Sequence, residues 1–216
     1  MRPLSELIDT DDPAWPEVQE WIAGATNEVE VLPVNEANRD SALHAIQVTT
    51  RSPMGAIVYE TGGLLIDHGW VRILGSGHSR LTRSLASWNE GRTMLGEGQA
   101  PGYLLVGDDV LGGFFAINGG SLGEEMGAMF YFSPDTVEWE CLDFGYSQFI
   151  IWCLQGDVAG FYESMRWPGW EQEISTLSGD QAISIYPFLW TAGPPIAERH
   201  RGVVPISEMF ALNVSG

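Results

Sequence analysis

Near the start of the chain apolar residues recur every three or four positions, at Val18, Trp21 and Ile22, behind the string Asp12-Pro13-Ala14-Trp15. A capping Asp, an early Pro and that spacing predict a helix from about Pro13 to Ala25. Val29 to Leu32 predicts a short strand, and Asn35 can cap a second helix whose apolar face is Ala42, Leu43 and Ile46. The period then changes. Ala56 to Leu74 is rich in Ile, Val, Leu, Tyr and Trp and is cut by Gly62-Gly63, which predicts strands joined at that glycine pair by a tight hairpin. A third helix is expected from about Ser79 to Glu90, with Leu81, Leu85 and Trp88 on one side.

Downstream the strand pattern returns at Tyr103 to Val106, Gly113 to Ile117 and Ala128 to Phe132. Gly107-Asp108-Asp109 and Asn118-Gly119-Gly120 separate them as turns. Ser133-Pro134-Asp135-Thr136 leads into Val137-Glu138-Trp139-Glu140, where the two glutamates alternate onto a water-facing side. Tyr146 onward is helical to Gly156, and Asp157 can cap a further turn through Phe161 and Tyr162. A short helix near Glu171 to Leu177 and a tract at Gly193-Pro194-Pro195 complete a layer wrapped over the core. The fold class expected is α+β, a mainly antiparallel meander with helices packed on one side. Residues 1–216 form a single domain in this reading, with N-terminal helices over about 1–50, a central sheet over about 54–142 and the C-terminal layer over about 145–216.

Composition narrows the chemistry. The 216 residues are 44% hydrophobic and 18% charged, which excludes wholesale disorder. Ten basic residues against 29 acidic ones leave a formal charge of −19, so nucleic acid and anionic membrane surfaces are poor partners. All ten are Arg, which rules out Schiff-base chemistry and a phosphate-loop Lys. Cys141 and Cys153 form no redox or metal motif, no signal segment precedes the first helical pattern, and no window approaches the roughly 18 apolar residues of a membrane span. A cytoplasmic protein with two buried, reduced thiols is expected.

Several strings invite a chemical reading. Gly75-Ser76-Gly77-His78-Ser79-Arg80 follows a strand and leads toward the expected third helix, where free backbone amides attract anions. Arg72, Gly75, Ser76, Gly77, His78 and Arg80 are the candidate anion-binding set, beside the plainer reading of a capped strand-to-helix turn. Gly119-Gly120-Ser121-Leu122-Gly123 matches the nucleophile-elbow pattern, with His200 downstream, but a strand follows it where an elbow needs a helix. His44, His68, His78 and His200 lack metal-ligand spacing, and Asp108-Asp109 reads as a turn, so no metal and no cofactor is implied. Glu138 and Glu140 share one strand face and are expected to be solvated, which argues against their serving as the carboxylate pair of glycoside cleavage. Trp167-Pro168-Gly169-Trp170 is the segment whose indoles are either core or an exposed binding surface.

Four strings together, Gly69-Trp70-Val71-Arg72-Ile73-Leu74-Gly75, Asp108 to Gly120, Tyr131 to Glu140 and Phe161-Tyr162 with Arg166-Trp167-Pro168-Gly169-Trp170, resemble an uncharacterised bacterial family, domain of unknown function 2625. The central strands and following helix are also similar to the SUKH superfamily of immunity and regulatory proteins. The second resemblance implies a sheet-and-helix scaffold without established catalytic residues and, for many members, binding of a toxin or other protein. Combined with the charge, it gives the expectation of a non-enzymatic module that masks a basic protein partner through Glu138, Glu140, Trp167 and Trp170. The alternative is a small anionic-ligand binder or enzyme using the turn at 75–80, and assembly with copies of itself is a third role for the Trp-rich surface.

Overall fold

The computed structural model describes residues 1–95 and 100–214. After a single helical turn, α1 (Leu4–Leu7), the expected first helix is α2 (Trp15–Ala23), which begins two residues later than the Pro13 start because Asp9, not a helix cap, takes the amides of Asp11 and Asp12. Strand β1 (Val29–Pro33) precedes α3 (Glu36–Ile46), whose cap is Asn35 accepting from the Ala37 amide.

The largest departure from the sequence pattern follows. Where strands were expected, Pro53–Glu60 forms helix α4. Ser52 accepts from the Gly55 amide and Pro53 occupies the first helical position, and these start signals prevail over the branched residues Ile57 and Val58. The chain passes straight into β2 (Thr61–Ile66), so Gly62-Gly63 lies inside a strand instead of forming a hairpin. The pair is there for close approach: a Cβ on Gly62 would sit 2.7 Å from the His78 Cβ and 2.8 Å from the Pro33 carbonyl oxygen. The hairpin is made by Asp67, His68 and Gly69, all at positive φ, and leads through Trp70 into β3 (Val71–Leu74).

The expected third helix over 79–90 shrinks to α5 (Leu85–Asn89), because the start signal is Ser84, which exchanges hydrogen bonds with Ser87 in a capping box. Then come β4 (Tyr103–Asp109), β5 (Phe114–Asn118), β6 (Met129–Ser133) and β7 (Glu138–Cys141). Asp108 and Asp109, expected in a turn, belong to the strand β4. Seven strands pair antiparallel in chain order from β1 to β7, the expected meander. Helices α6 (Tyr146–Gln155), α7 (Val158–Phe161) and α8 (Trp170–Ile174) follow. The C-terminal layer is more regular than its sequence suggested: β8 (Gln181–Tyr186) and β9 (His200–Pro205) make a separate two-stranded sheet, and α9 (Ile206–Asn213) follows.

Register assigns the faces of the large sheet. Leu64, Ile73, Phe115 and Tyr131 share one face. It is covered by α6 and α7, with Phe149 4.7 Å from Phe115 and Phe161 5.3 Å from Tyr131 between ring centroids. Leu65, Arg72, Asp108, Phe114 and Phe132 share the other face, which is covered by α5, β8 and α9, with Phe210 5.1 Å from Phe114. The fold is thus α+β with an antiparallel meander, and the covering extends to both faces of the sheet. Every residue of β2, β3 and β6 is buried, whereas β7 alternates between solvent and packing. Buried apolar residues from Ala14 to Phe210 form one contiguous cluster. Among the described residues, no helix is long and apolar enough to cross a membrane.

Candidate functional site

Arg72 enters the second sheet face as a charge in an otherwise apolar strand, and its neighbour in register is Asp108. Its Nε donates to Asp108 Oδ1 at 2.6 Å, and its two Nη atoms donate to the carbonyls of Asp109 and Gln181 at 2.8 and 3.1 Å. Asp108 Oδ2 accepts from Arg83 at 2.6 Å, and Arg83 also donates to Asp180 at 3.0 Å and to the Gly179 carbonyl. Two Arg and two Asp thus neutralise one another across strands, loop and C-terminal layer. The next residue, Asp109, turns to the opposite face. It accepts from the amides of Leu111 and Gly113 and from the hydroxyls of Tyr131 and Tyr162, the last two at 2.6 and 3.1 Å. Burial pushes the Asp109 carboxyl above its ordinary value, although these donors and Arg72 pull it down. Burial likewise holds both phenols well above theirs.

The candidate anion set is divided by this arrangement. Gly75 and Ser76 are buried, and the amides of Ser76, Gly77 and His78 donate to the carbonyls of Thr61, Gly62 and Leu81. The strand-to-helix junction expected to present free amides is therefore replaced by a backbone crossing, with Arg80 N bound to the His78 ring. Arg72 and Arg80 do line one cleft, of about 140 Å³, together with Glu28, Glu30, Leu65, His68 and Val110. There Arg80 pairs with Glu30 and His68 Nδ1 contacts Glu28, each at 2.5 Å. The mouth carries two carboxylates and the floor is a guanidinium already matched by Asp108, so the cleft offers no surplus positive charge.

The four residues expected to form a partner surface also separate. Trp167 is buried at 3% exposure, with Nε1 donating to Glu173, and Trp170 is half-buried. Both pack on Trp70, at centroid distances of 5.9 and 5.0 Å, with Arg166 over the Trp70 and Trp170 rings and paired to Asp67. This is core around the entry to β3. Glu138 and Glu140 lie exposed on β7, four strand spacings away, or roughly 19 Å. Ser121 of the elbow-like string sits in the exposed β5–β6 loop, where Asn118 Oδ1 takes the amides of Gly120 and Leu122.

A feature of charge placement emerges only with the fold. From Thr93 to Met165 the sequence contains no Arg, Lys or His, while acidic residues recur throughout. This stretch supplies β4 to β7, and its Glu124, Glu125, Asp135, Glu138, Glu140 and Asp143 are exposed on β7 and the loops beside it. Met126, 74% exposed, lies among them. Sequence counting could have found the acidic block; the strand order was needed to place it at a sheet edge.

Comparison with known proteins finds relatives that align with the chain over most of their length. A putative uncharacterised protein, YbfG, of Escherichia coli K12 is 46% identical over 212 residues, covering 98% of this chain and 95% of its own. An uncharacterised protein of Haemophilus influenzae Rd is 42% identical over 189 residues, covering 88% and 83%. The family model described as protein of unknown function DUF2625 matches residues 4–209. The fold described above is therefore that of a DUF2625 protein, the family to which this chain belongs.

Proposed function

We propose that the protein is a non-enzymatic binding module, of the toxin-immunity type, that masks a basic protein partner with its acidic β7 edge. The observation that carries this reading is the exposed acidic surface built by a stretch of chain that holds no basic residue. A field of one sign at a sheet edge speeds encounter with a basic protein and repels phosphate backbones and anionic lipid. The likeness of the central strands to the SUKH superfamily adds to the reading, which has the protein at work in the cytoplasm, where Cys141 and Cys153 stay free thiols. The proposed interface uses Glu138 and Glu140 and leaves out Trp167, which is buried, and Trp170, which packs on Trp70.

The test is affinity capture from native lysate, at low and moderate salt, with the natural chain and with a Glu138→Arg/Glu140→Arg variant. A stoichiometric basic protein held by the natural chain, released as salt rises and absent from the variant is the expected result. Capture of the same proteins by both chains, or of none by either, would overturn the proposal.

A further inference from the structure

We infer that the partner binds by strand addition, an extended segment with basic residues at alternate positions pairing along β7 as an eighth strand of the sheet. The inference rests on the masking function proposed above and specifies its mode. Strand β7 closes the order β1 to β7, so among the described residues one of its sides has no strand. The Leu142 amide donates to the Met129 carbonyl, one step beyond the Phe130–Cys141 pair. Alternation along an antiparallel ladder then turns the backbone groups of Glu138 and Glu140 toward β6 and those of Trp139 and Cys141 outward. Open amides and carbonyls at every second residue are what an added strand requires.

The side chains define the occupant. Glu138 and Glu140 are exposed on one face of β7 and have no salt-bridge partner among the described residues. On the other face Trp139 lies against Tyr103 and Phe132, at 5.5 and 5.4 Å, and stays partly open. A segment pairing here places every second side chain beside the glutamates and the intervening ones beside Trp139 and Cys141, which selects a basic–apolar alternation. A second copy of this chain is disfavoured, because β7 against β7 sets glutamates beside glutamates. The opposite edge does not offer the same chemistry: on and next to β1, Glu30 is paired with Arg80 and Glu28 with His68.

Three capped peptides of identical residue composition test this: alternating Lys and Val, the same residues as a Lys block and a Val block, and the alternating peptide N-methylated on the edge that would face β7. Each is titrated into the full chain by calorimetry, with hydrogen exchange followed at individual amides. The alternating peptide is expected to bind, to slow exchange at Trp139 and Cys141, and to bind about tenfold more weakly after either N-methylation or Glu138→Gln/Glu140→Gln. Equal binding by all three peptides that is still weakened by the Gln variant would overturn strand addition while leaving acidic masking intact. Binding of none, or binding indifferent to the Gln variant, would overturn both.

Discussion

Arg72 Nε lies 2.6 Å from Asp108 Oδ1, and solvent reaches almost nothing of either side chain. A pair so placed contributes little net stability when whole, yet its loss is severe, because the remaining charge stays buried without its partner. Arg72→Met, which keeps much of the apolar stem, is expected to cost about 3–5 kcal/mol in urea unfolding. A midpoint unchanged from the natural chain would show that Arg83 alone suffices for Asp108.

Two carboxylates should give opposite pH dependences. The folded-state value of Asp109 is raised above the ordinary 3.8 by burial, so the folded chain holds that proton more tightly than the unfolded one. Stability from this group is complete below about 3.8 and is lost as pH climbs through the raised value. Asp180 behaves in reverse: burial pulls its value up, but the Thr82 amide and hydroxyl and the Arg83 guanidinium hold it below 3.8. Its contribution is present above that value and disappears as pH falls through the lowered one. Thermal melts across the acid range are expected to show Asp109→Asn gaining on the natural chain as pH rises and Asp180→Asn falling behind it. Parallel curves for the three proteins would contradict both assignments.

A methyl group distinguishes two glycines. On Gly113 it would fall 2.1 Å from Asp109 Oδ2 and 2.5 Å from the Tyr131 hydroxyl, so Gly113→Ala must open the network on that face. On Gly69 it would meet nothing within 4 Å, although φ is +84°, so Gly69→Ala costs only the left-handed penalty of about 1–2 kcal/mol. Denaturant titration should rank Gly113→Ala well below Gly69→Ala, and the reverse ranking would refute the packing described around Asp109.

The two thiols differ in reach. Cys153 is fully buried in α6, and burial raises its thiol well above the ordinary value, whereas Cys141 is half-buried on β7. Iodoacetamide should modify Cys141 alone in the native protein and both after unfolding, as peptide mass spectrometry would show. Equal native labelling would mean that α6 opens readily.

The meander was legible because its turns carry their own chemistry: Asn118-Gly119-Gly120 and Ser133-Pro134-Asp135-Thr136 break apolar runs of strand length. Helix α4 was hidden because Ile57, Val58 and Tyr59 favour strands, and only Ser52-Pro53 betrays the helix start. Gly62-Gly63 misled since a glycine pair serves a hairpin or a backbone crossing equally well. For the site, the sequence singles out Arg72 as an anion contact but not its true partner, because the Gly107-Asp108-Asp109 string imitates a turn while Asp108 stands beside Arg72 in the sheet register. The indoles of Trp167 and Trp170 could not be assigned from their own segment, because what buries them is Trp70, nearly a hundred residues away.

Covering the second sheet face from the far C-terminal end has a consequence during synthesis. When β7 has left the ribosome, all seven meander strands exist, but Asp180 for Arg83, the Gln181 carbonyl for Arg72 and Phe210 for Phe114 and Trp88 are still to come. The nascent chain therefore carries an aromatic face with half-satisfied guanidinium groups until the residues from Gly179 to Phe210 have emerged. Folding of this sheet waits on that layer, and a product stalled or truncated before it would be a natural client for chaperones.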